Sequence, residues 1–234
     1  MLNQTYKNIE IIAINDASTD NSLKKLQLIE DTRLYIYNNI ENYGTYKTIN
    51  IGLLLSNGNY ITIQGSDDYA TIDKISIMKN SFKISKLLLC YSNWSRGLIL
   101  QKSIVGCYMF KRDLLKILGF FDNTRIGGDS EFINRYLFYN NKIIYINNLL
   151  NIASIRNKSL TNNKLTKINS DIRKNYIYNY KKWHVLIKKT KNYYMPFLHT
   201  KKNYEYKLYK FKKNKQENKI IKNILLDDIG KIIN

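Results

Sequence analysis

Aspartates follow the ends of two predicted strands, where they could bind a substrate or a metal ion. Asp16 follows the apolar run of residues 9–14, and Asp67 and Asp68 follow residues 60–64. In open α/β sheets, ligands gather at the carboxyl ends of the strands. Adjacent carboxylates on a turn can bind Mg²⁺ or Mn²⁺, which proteins hold through one or two carboxylates together with substrate phosphates. The alternative for Asp67 and Asp68 is turn and N-cap chemistry ahead of the next helix.

The rest of the chain offers no better metal site. His184 and His199 lie in the basic C-terminal part, and neither has a partner at ligand spacing. Cys90 and Cys107 are too few for a disulfide framework or a cysteine zinc site, and we interpret them as reduced residues, Cys107 as a packing residue. The apolar runs are too short to span a bilayer, and the N-terminus lacks a secretory signal pattern. We therefore expect a cytoplasmic protein.

Short β-branched runs alternate with stretches of helical spacing along the first two thirds of the chain. The predicted strands cover residues 9–14, 34–37, 60–64, 87–91 and 142–146, and the predicted helices cover residues 20–30, 45–56, 72–84 and 129–140. Alternation of this kind predicts an α/β layered domain with a mostly parallel sheet.

The positive charge is concentrated in the last third of the sequence. Residues 1–156 contain 18 Lys or Arg against 13 Asp or Glu, whereas residues 157–234 contain 20 against 5. We therefore predict a domain over residues 1–156 and a basic, mainly helical extension over residues 157–234, with amphipathic helices at 164–190 and 204–226.

Ile, Asn, Lys and Tyr make up half of the 234 residues. AT-rich codons encode these residues, so the lysine excess is weak evidence for a nucleic-acid partner.

Five segments, in this order, resemble family 2 glycosyltransferases. The first two are Gln4-Thr5-Tyr6-Lys7-Asn8-Ile9-Glu10 and Asn15-Asp16-Ala17-Ser18-Thr19-Asp20. The next two are Asn42-Tyr43-Gly44 and the run from Ser56-Asn57-Gly58-Asn59-Tyr60-Ile61 to Ser66-Asp67-Asp68. The fifth is Gly119-Phe120-Phe121-Asp122 followed by Gly128-Asp129-Ser130-Glu131-Phe132 and Arg135. The resemblance covers about residues 2–156.

The resemblance implies the GT-A fold, a Rossmann-like sandwich, and an inverting transfer from a nucleotide-diphosphate sugar, a UDP-sugar first among the donors. The acceptor would be a glycan, a protein or a lipid. Asp16 would contact the nucleotide base, and Asp67 and Asp68 would serve the ribose and a Mn²⁺ or Mg²⁺ ion on the diphosphate. Arg156 would lie near the diphosphate, where a guanidinium suits phosphate.

Asp129 is the residue that the resemblance implies as the general base, which takes the proton of the attacking acceptor hydroxyl. The alternative is a structural one: Asp129 caps the helix of residues 129–140 and Glu131 stabilises its first turn. Arg135 either pairs with an acid or is solvated.

The sequence departs from the family pattern at its start. Asn15 stands where the family has an acid, and Ala17 stands where it has Gly. The family begins with a strand and a helix ahead of Gln-Thr-Tyr, which this sequence does not show after Met1. The sheet would then lack a central strand and have an unpaired edge. We expect either that the sequence is a fragment of a longer protein or that the nucleotide pocket is incomplete.

Two alternatives to the enzyme stay open. One is an inactive relic of the fold that acts as a binding or structural protein. The other is a basic binder that uses residues 157–234 on an anionic membrane surface or a nucleic acid, through interleaved Tyr and Lys.

Overall fold

The computed structural model describes residues 1–155 and 169–197, together with the backbone of two strands between residues 205 and 222. The helices are α1 (Ser22–Gln27), α2 (Thr45–Leu55), α3 (Lys74–Ser81), α4 (Asp113–Leu118), α5 (Gly128–Tyr139) and α6 (Asp171–Thr190). The strands are β1 (Ile11–Asn15), β2 (Leu34–Asn39), β3 (Tyr60–Thr62), β4 (Tyr69–Ala70), β5 (Leu89–Arg96), β6 (Ile99–Gln101), β7 (Tyr108–Lys111), β8 (Ile144–Ala153), β9 (Glu205–Lys212) and β10 (Lys215–Lys222).

The strands form two sheets, one in the order β1-β2-β9-β10 and one in the order β3-β7-β5-β8-β4, with β6 paired to β5. Within these sheets, β1 pairs with β2 and β5 with β8 in parallel, and the other pairings are antiparallel. The α/β class is confirmed, but the sheets are mixed rather than mostly parallel. The reason is the segment after β5, which returns as β6 and later as β7 and pairs with β5 in the opposite direction.

The expected unpaired edge is present among the described strands. Strand β1 is paired only with β2, and β3 only with β7. Glu10, just before β1, joins these edges at one end: its Oε1 accepts the N–H groups of Asn57 and Gly58, at 2.6 and 2.7 Å, in the turn that precedes β3. The Glu10 carboxylate therefore links the segment before β1, in the smaller sheet, to the turn before β3, in the larger sheet.

The C-terminal part follows the prediction for its first helix and contradicts it for its second. Helix α6 lies within the predicted range 164–190, and its N-cap is Ser170, whose Oγ accepts the N–H of Arg173. The predicted helix over residues 204–226 is wrong, because this region forms β9 and β10, and β9 pairs with β2. The segment contains Tyr, Phe and Ile, which favour strands, and the edge of β2 supplies hydrogen-bonding partners that helical spacing does not anticipate.

The main core lies between the larger sheet and helices α2, α4 and α5. Phe132 of α5 stacks on Phe121, with ring centroids 4.3 Å apart, and contacts Phe110 of β7 at 5.6 Å. All three rings are at most 1% exposed. Cys107 is buried in a neighbouring apolar cluster with Cys90, as the packing interpretation predicts. Aromatic burial of this extent fixes α5 firmly against the sheet.

A buried ion pair in α5 ties three segments together. Arg135 Nε donates to Glu131 Oε1 at 2.8 Å, and neither side chain is exposed to solvent. The same guanidinium donates to the carbonyl oxygens of Leu118 and Phe120. His184 of α6 lies 2.8 Å from Glu131 Oε1, measured from Nε2. Arg135 is thus paired rather than solvated, and Glu131 holds α6 against α5.

We predict that Glu131→Ala lowers the free energy of unfolding by about 3–5 kcal/mol, because it leaves the Arg135 guanidinium buried without its counter-charge. Urea denaturation of the purified chain measures the change. The matched control is Asp113→Ala, which removes a 3.2 Å pair with Lys116 whose side chains are 68% and 53% exposed. It should cost less than about 1 kcal/mol. Equal losses from the two variants would contradict the role given to the buried pair.

Candidate functional site

Asp16 lies directly after β1 and holds the chain that leads into α2. Its Oδ1 accepts the Nδ2–H of Asn39 at 2.8 Å and the N–H of Tyr43 at 2.9 Å, and its Oδ2 accepts the N–H of Gly44 at 2.9 Å. An ionised carboxylate has about four lone-pair positions, so one on Oδ2 stays available after these three bonds. The carboxylate also lies at the N-terminus of α2, where the helix dipole favours negative charge.

Asn15 and Ala17, the two residues beside Asp16 that depart from the family pattern, each have a defined conformation or contact in the structure. Asn15 Nδ2 donates to Asn38 Oδ1 at 2.6 Å, so the amide links neighbouring ends of β1 and β2 where a second acid would have added charge. Ala17 has a φ of 53°, in the left-handed region that glycine enters at little cost. The turn geometry is thus retained with a residue less suited to it.

Asp67 and Asp68 lie on a tight turn that begins at Gly65. A Cβ atom at Gly65 would stand 2.8 Å from Asp68 Oδ2, so a side chain at this position would displace the Asp68 carboxylate. Asp68 Oδ1 accepts the N–H of Ser154, which follows β8, at 3.2 Å. The two acids line a cleft of about 540 Å³ together with residues from the N-terminal segment. The turn interpretation and the metal interpretation are both compatible with this geometry.

Lys74, the first residue of α3, is buried behind the turn of Asp67 and Asp68, which we call the acid turn. The sequence analysis did not predict Lys74 as part of the site. Its Nζ donates to Gln64 Oε1 at 2.8 Å, and Gln64 Nε2 donates to Asn151 Oδ1 at 3.0 Å. Burial lowers the pKa of Lys74, while nearby Cys107 and Asp68 act in the opposite direction. A lysine on the face that α3 shares with Ile75 and Met78 was the signal in the sequence, because that face is otherwise apolar.

Asp129 lies in the first turn of α5, after two glycines. Its Oδ1 accepts the N–H of Ser130 at 2.7 Å. Burial raises its pKa, and a hydrogen bond from the hydroxyl of Tyr46 acts in the opposite direction. The Tyr46 ring lies so close to Gly128 that a Cβ atom there would be 2.7 Å from it. A carboxylate whose pKa is raised, held by two donors, is suited to take up a proton.

Helix α6 packs over the turn that carries Asp129. The hydroxyl of Tyr176 donates to Asp122 Oδ2 at 3.0 Å. A Cβ atom at Gly127 would lie 3.5 Å from the Tyr176 ring and 3.6 Å from Nη1 of Arg173. Arg173 also counters the rise in the pKa of Asp129 that burial produces. The basic helix is therefore part of the surroundings of the candidate base, which the sequence reasoning did not foresee.

The structure brings part of the predicted set together. Helix α2 begins beside Asp16, and Tyr46 in its first turn contacts Asp129, so one helix end joins these two acids. Asp67 and Asp68 lie together on their own turn beside β8. Arg156 lies outside the described residues. Within residues 1–155 and 169–197, no three His, Cys, Asp or Glu side chains are grouped so that they could hold a metal ion.

Sequence comparison shows that the first part of the chain is similar to glycosyltransferases. Residues 1–97 match the family described as Glycosyl transferase family 2. An uncharacterized glycosyltransferase from Haemophilus influenzae is 36% identical over 96 residues, which are 40% of this chain and 38% of that protein. The Escherichia coli UDP-Glc:alpha-D-GlcNAc-diphosphoundecaprenol beta-1,3-glucosyltransferase WfaP is 38% identical over 93 residues, which are 40% of this chain and 37% of that protein. The match thus spans less than half the length of these curated relatives.

Comparison with solved structures identifies the fold. The S. aureus TarS 1–349 complex with UDP-GlcNAc superposes with a TM-score of 0.60 at 16% sequence identity, over 67% of this chain and 53% of that one. The Pyrobaculum calidifontis mannosyltransferase PcManGT, in complex with GDP-Man and Mn²⁺, superposes with a TM-score of 0.55 at 15% identity, over 80% of this chain and 64% of that one. At these identities the likeness concerns the fold alone. Residues 1–97 therefore match family 2 of the glycosyltransferases, and the described part of the chain has the GT-A fold.

Proposed function

We propose that the chain transfers a sugar from a nucleotide-diphosphate donor to an acceptor hydroxyl, with inversion at the anomeric carbon. The observation that carries the proposal is the Asp129 carboxylate, whose pKa is raised by burial at the start of α5. A carboxylate so placed can accept the proton of the acceptor hydroxyl while the oxygen attacks the anomeric carbon. A single displacement of this kind inverts the configuration, because the attack and the departure occur on opposite faces of the sugar.

The donor would be bound at the end of β1. The remaining lone pair on Asp16 Oδ2 is suited to a base N–H such as that of uracil. The names of the compared proteins support a nucleotide-sugar donor: WfaP is a UDP-Glc transferase, and TarS was crystallised with UDP-GlcNAc. A UDP-sugar is therefore the first donor to test, followed by a GDP-sugar because PcManGT was crystallised with GDP-Man.

A divalent cation fits the turn of Asp67 and Asp68. The chain supplies two carboxylates there, which suits Mg²⁺ or Mn²⁺ held jointly by protein and phosphates rather than by a protein cage. The N–H of Ser154 fixes Asp68 Oδ1. The Ser154 hydroxyl is buried beside it without a hydrogen-bonding partner in the structure. When bound, such an ion would neutralise the charge that develops on the leaving diphosphate.

The surrounding residues orient the base rather than react. The N–H of Ser130 and the hydroxyl of Tyr46 both donate to Asp129, which fixes the carboxylate. Arg173 and Tyr176 pack on the glycine turn ahead of it and help to exclude water from that side. Proton uptake by Asp129 is thus confined to the side that an acceptor can reach.

We predict that Asp129→Asn lowers the transfer rate by about 10²–10⁴-fold while binding of the nucleotide is retained, because the amide cannot take up the proton. Product formation from UDP- and GDP-sugars with a panel of acceptors measures the rate, and calorimetry with UDP measures binding. The control Asp113→Asn, at the exposed start of α4, should leave both unchanged. An active Asp129→Asn enzyme would refute the assignment. A wild-type chain that binds UDP but transfers no sugar would instead favour the inactive relic.

We predict that Asp129→Asn gains stability relative to the wild type as the pH rises. Because burial raises the pKa of Asp129 in the folded state, the folded chain resists ionisation more than the unfolded chain does. Below the unfolded pKa of about 3.9 the acid is neutral in both states. The penalty grows as the pH rises from that value to the higher folded pKa, and it is constant above the folded pKa. Urea denaturation of both proteins from about pH 3 to about pH 7 measures it. A difference that is flat or shrinks with pH would be inconsistent with a raised pKa.

We predict that Asp68→Asn abolishes the Mn²⁺-dependent part of thermal stabilisation by UDP. In the wild type, UDP at about 100 times its Kd should stabilise the folded chain by about 2.7 kcal/mol in the presence of Mn²⁺. The variant should respond to UDP equally with and without Mn²⁺, as measured by melting temperature. Glu41→Gln, at an exposed position, serves as the charge-matched control. Full Mn²⁺ dependence in the Asp68 variant would exclude this turn as the metal site.

A further inference from the structure

The hairpin that joins β5 to β6 exposes three consecutive large apolar side chains. Leu98 at its tip is fully exposed, and Ile99 and Leu100 of β6 are 67% and 51% exposed. In the described part of the chain, β6 pairs only with β5, so its outer edge is open. Exposed apolar residues that stand singly need no explanation, but a contiguous group marks an interaction site.

The apolar group continues onto the neighbouring strand. Leu100 and Ile152 of β8 are both paired with Ser95 of β5, on its two sides, so the two side chains share a face of the sheet. Ile155 lies against Gly97 of the hairpin and is 68% exposed. We call Leu98, Ile99, Leu100, Ile152 and Ile155 the hairpin surface.

The hairpin surface borders the acid turn. Ser154 lies between Ile152 and Ile155, and its N–H donates to Asp68. Tyr69, next in the chain, is paired with Ile152 and is 75% exposed. Whatever covers the hairpin surface therefore also approaches the turn of Asp67 and Asp68.

The chain segment that contains the hairpin carries only positive charges. Residues 74–112 contain eight Lys or Arg and no Asp or Glu. Arg96 and Lys102 directly flank the hairpin, and Lys102 is exposed. Exposed apolar side chains with flanking cations are the combination that binds anionic lipid surfaces, because the apolar groups enter the acyl boundary and the cations meet the headgroups.

We propose that the hairpin surface docks on an anionic bilayer, with Leu98 and Ile99 inserted between the headgroups. A second copy of the chain fits this surface less well. Five side chains fall far short of the roughly 20–30 residues per partner that a stable dimer buries, and docking two copies here would bring Arg96 and Lys102 together with their equivalents. The described residues contain no helix long and apolar enough to cross a membrane.

Helix α6 offers the competing location for a membrane contact. Its exposed residues include Lys181, Lys182, Lys188 and Lys189. Lys182 Nζ lies 4.3 Å from the centroid of the Tyr178 ring. Val185 and Leu186 of this helix are 56% and 57% exposed, less than Leu98 and Ile99. Because Leu98 also stands at the tip of a hairpin, we assign the insertion to the hairpin.

The test is co-sedimentation of the full chain with vesicles of phosphatidylglycerol and phosphatidylcholine, compared with phosphatidylcholine alone. We expect binding to the anionic vesicles, and a loss of about tenfold or more in the partition coefficient for Leu98→Ser combined with Ile99→Ser. The matched control is Ile84→Ser, which is 90% exposed beside Lys83 and Lys86. It precedes the opposite end of β5, about 25 Å away at the rise of a strand, and should leave binding unchanged.

Melting temperatures establish that the variants fold, and the mixtures contain no donor and no metal, so the outcome does not depend on the proposed transferase activity. Unchanged binding of the hairpin variant would overturn the proposal. So would an equal loss with Ile84→Ser, or a loss seen only when Lys181 and Lys182 are replaced by Ser. A wild-type dimer in light scattering that the hairpin variant converts to a monomer would assign the surface to a second copy instead.

Discussion

The buried charge pair of Arg135 and Glu131 is the interaction on which the arrangement of the site depends. One guanidinium satisfies the carboxylate, the carbonyl groups that end α4 and the turn after it, so a single side chain sets the spacing between three segments. Glu131 also forms a hydrogen bond with His184 of α6. Two charges that are buried this completely are tolerated only when all of their hydrogen bonds are satisfied. These hydrogen bonds therefore fix the position of α5 against α4 and α6. Asp129 lies two residues before Glu131 and takes its position from it.

The acids of the candidate site have different surroundings. Asp16 accepts hydrogen bonds from backbone and amide donors at a helix end. Asp129 lies among aromatic rings and glycines, where burial raises its pKa. Helix α2 contacts both of them within its first residues. A small shift of that helix would therefore change the contacts of Asp16 and of Asp129 at once.

Sequence patterns predicted the elements whose side chains face the core with a clear period. Strands β1, β2 and β3 and helices α2, α3 and α5 lie where the apolar spacing placed them, and the motif acids follow these elements. The pattern was silent on β6 and β7, because their pairing with β5 depends on contacts that are distant in sequence. The same limit applies to β9 and β10, where pairing with the edge of β2 outweighs the helical spacing of residues 204–226.

The chemistry around each acid was less accessible to sequence reasoning than the acids themselves. Tyr46 lies 83 positions before Asp129, and no local pattern connects the two. Lys74 had a signal, a cation on an apolar helix face, but its relation to Asp68 appears only once the turn is folded. Arg173 lies in the region that the sequence predicts to be a basic extension. The sequence of that region does not distinguish a cation near Asp129 from the many solvent-exposed ones.

Helix α6 has a buried face that packs against the rest of the chain and an exposed face that contacts solvent. Tyr180, His184 and Ile187 on the inner face are buried against the rest of the chain, so a change at these positions disturbs packing. The outer face, with Lys181, Lys182, Lys188 and Lys189, meets solvent. Substitution on this face can follow the nucleotide composition of the gene without altering the fold. The positive charge of α6 can therefore vary widely without a change in the packing of the helix, which depends on the buried residues alone.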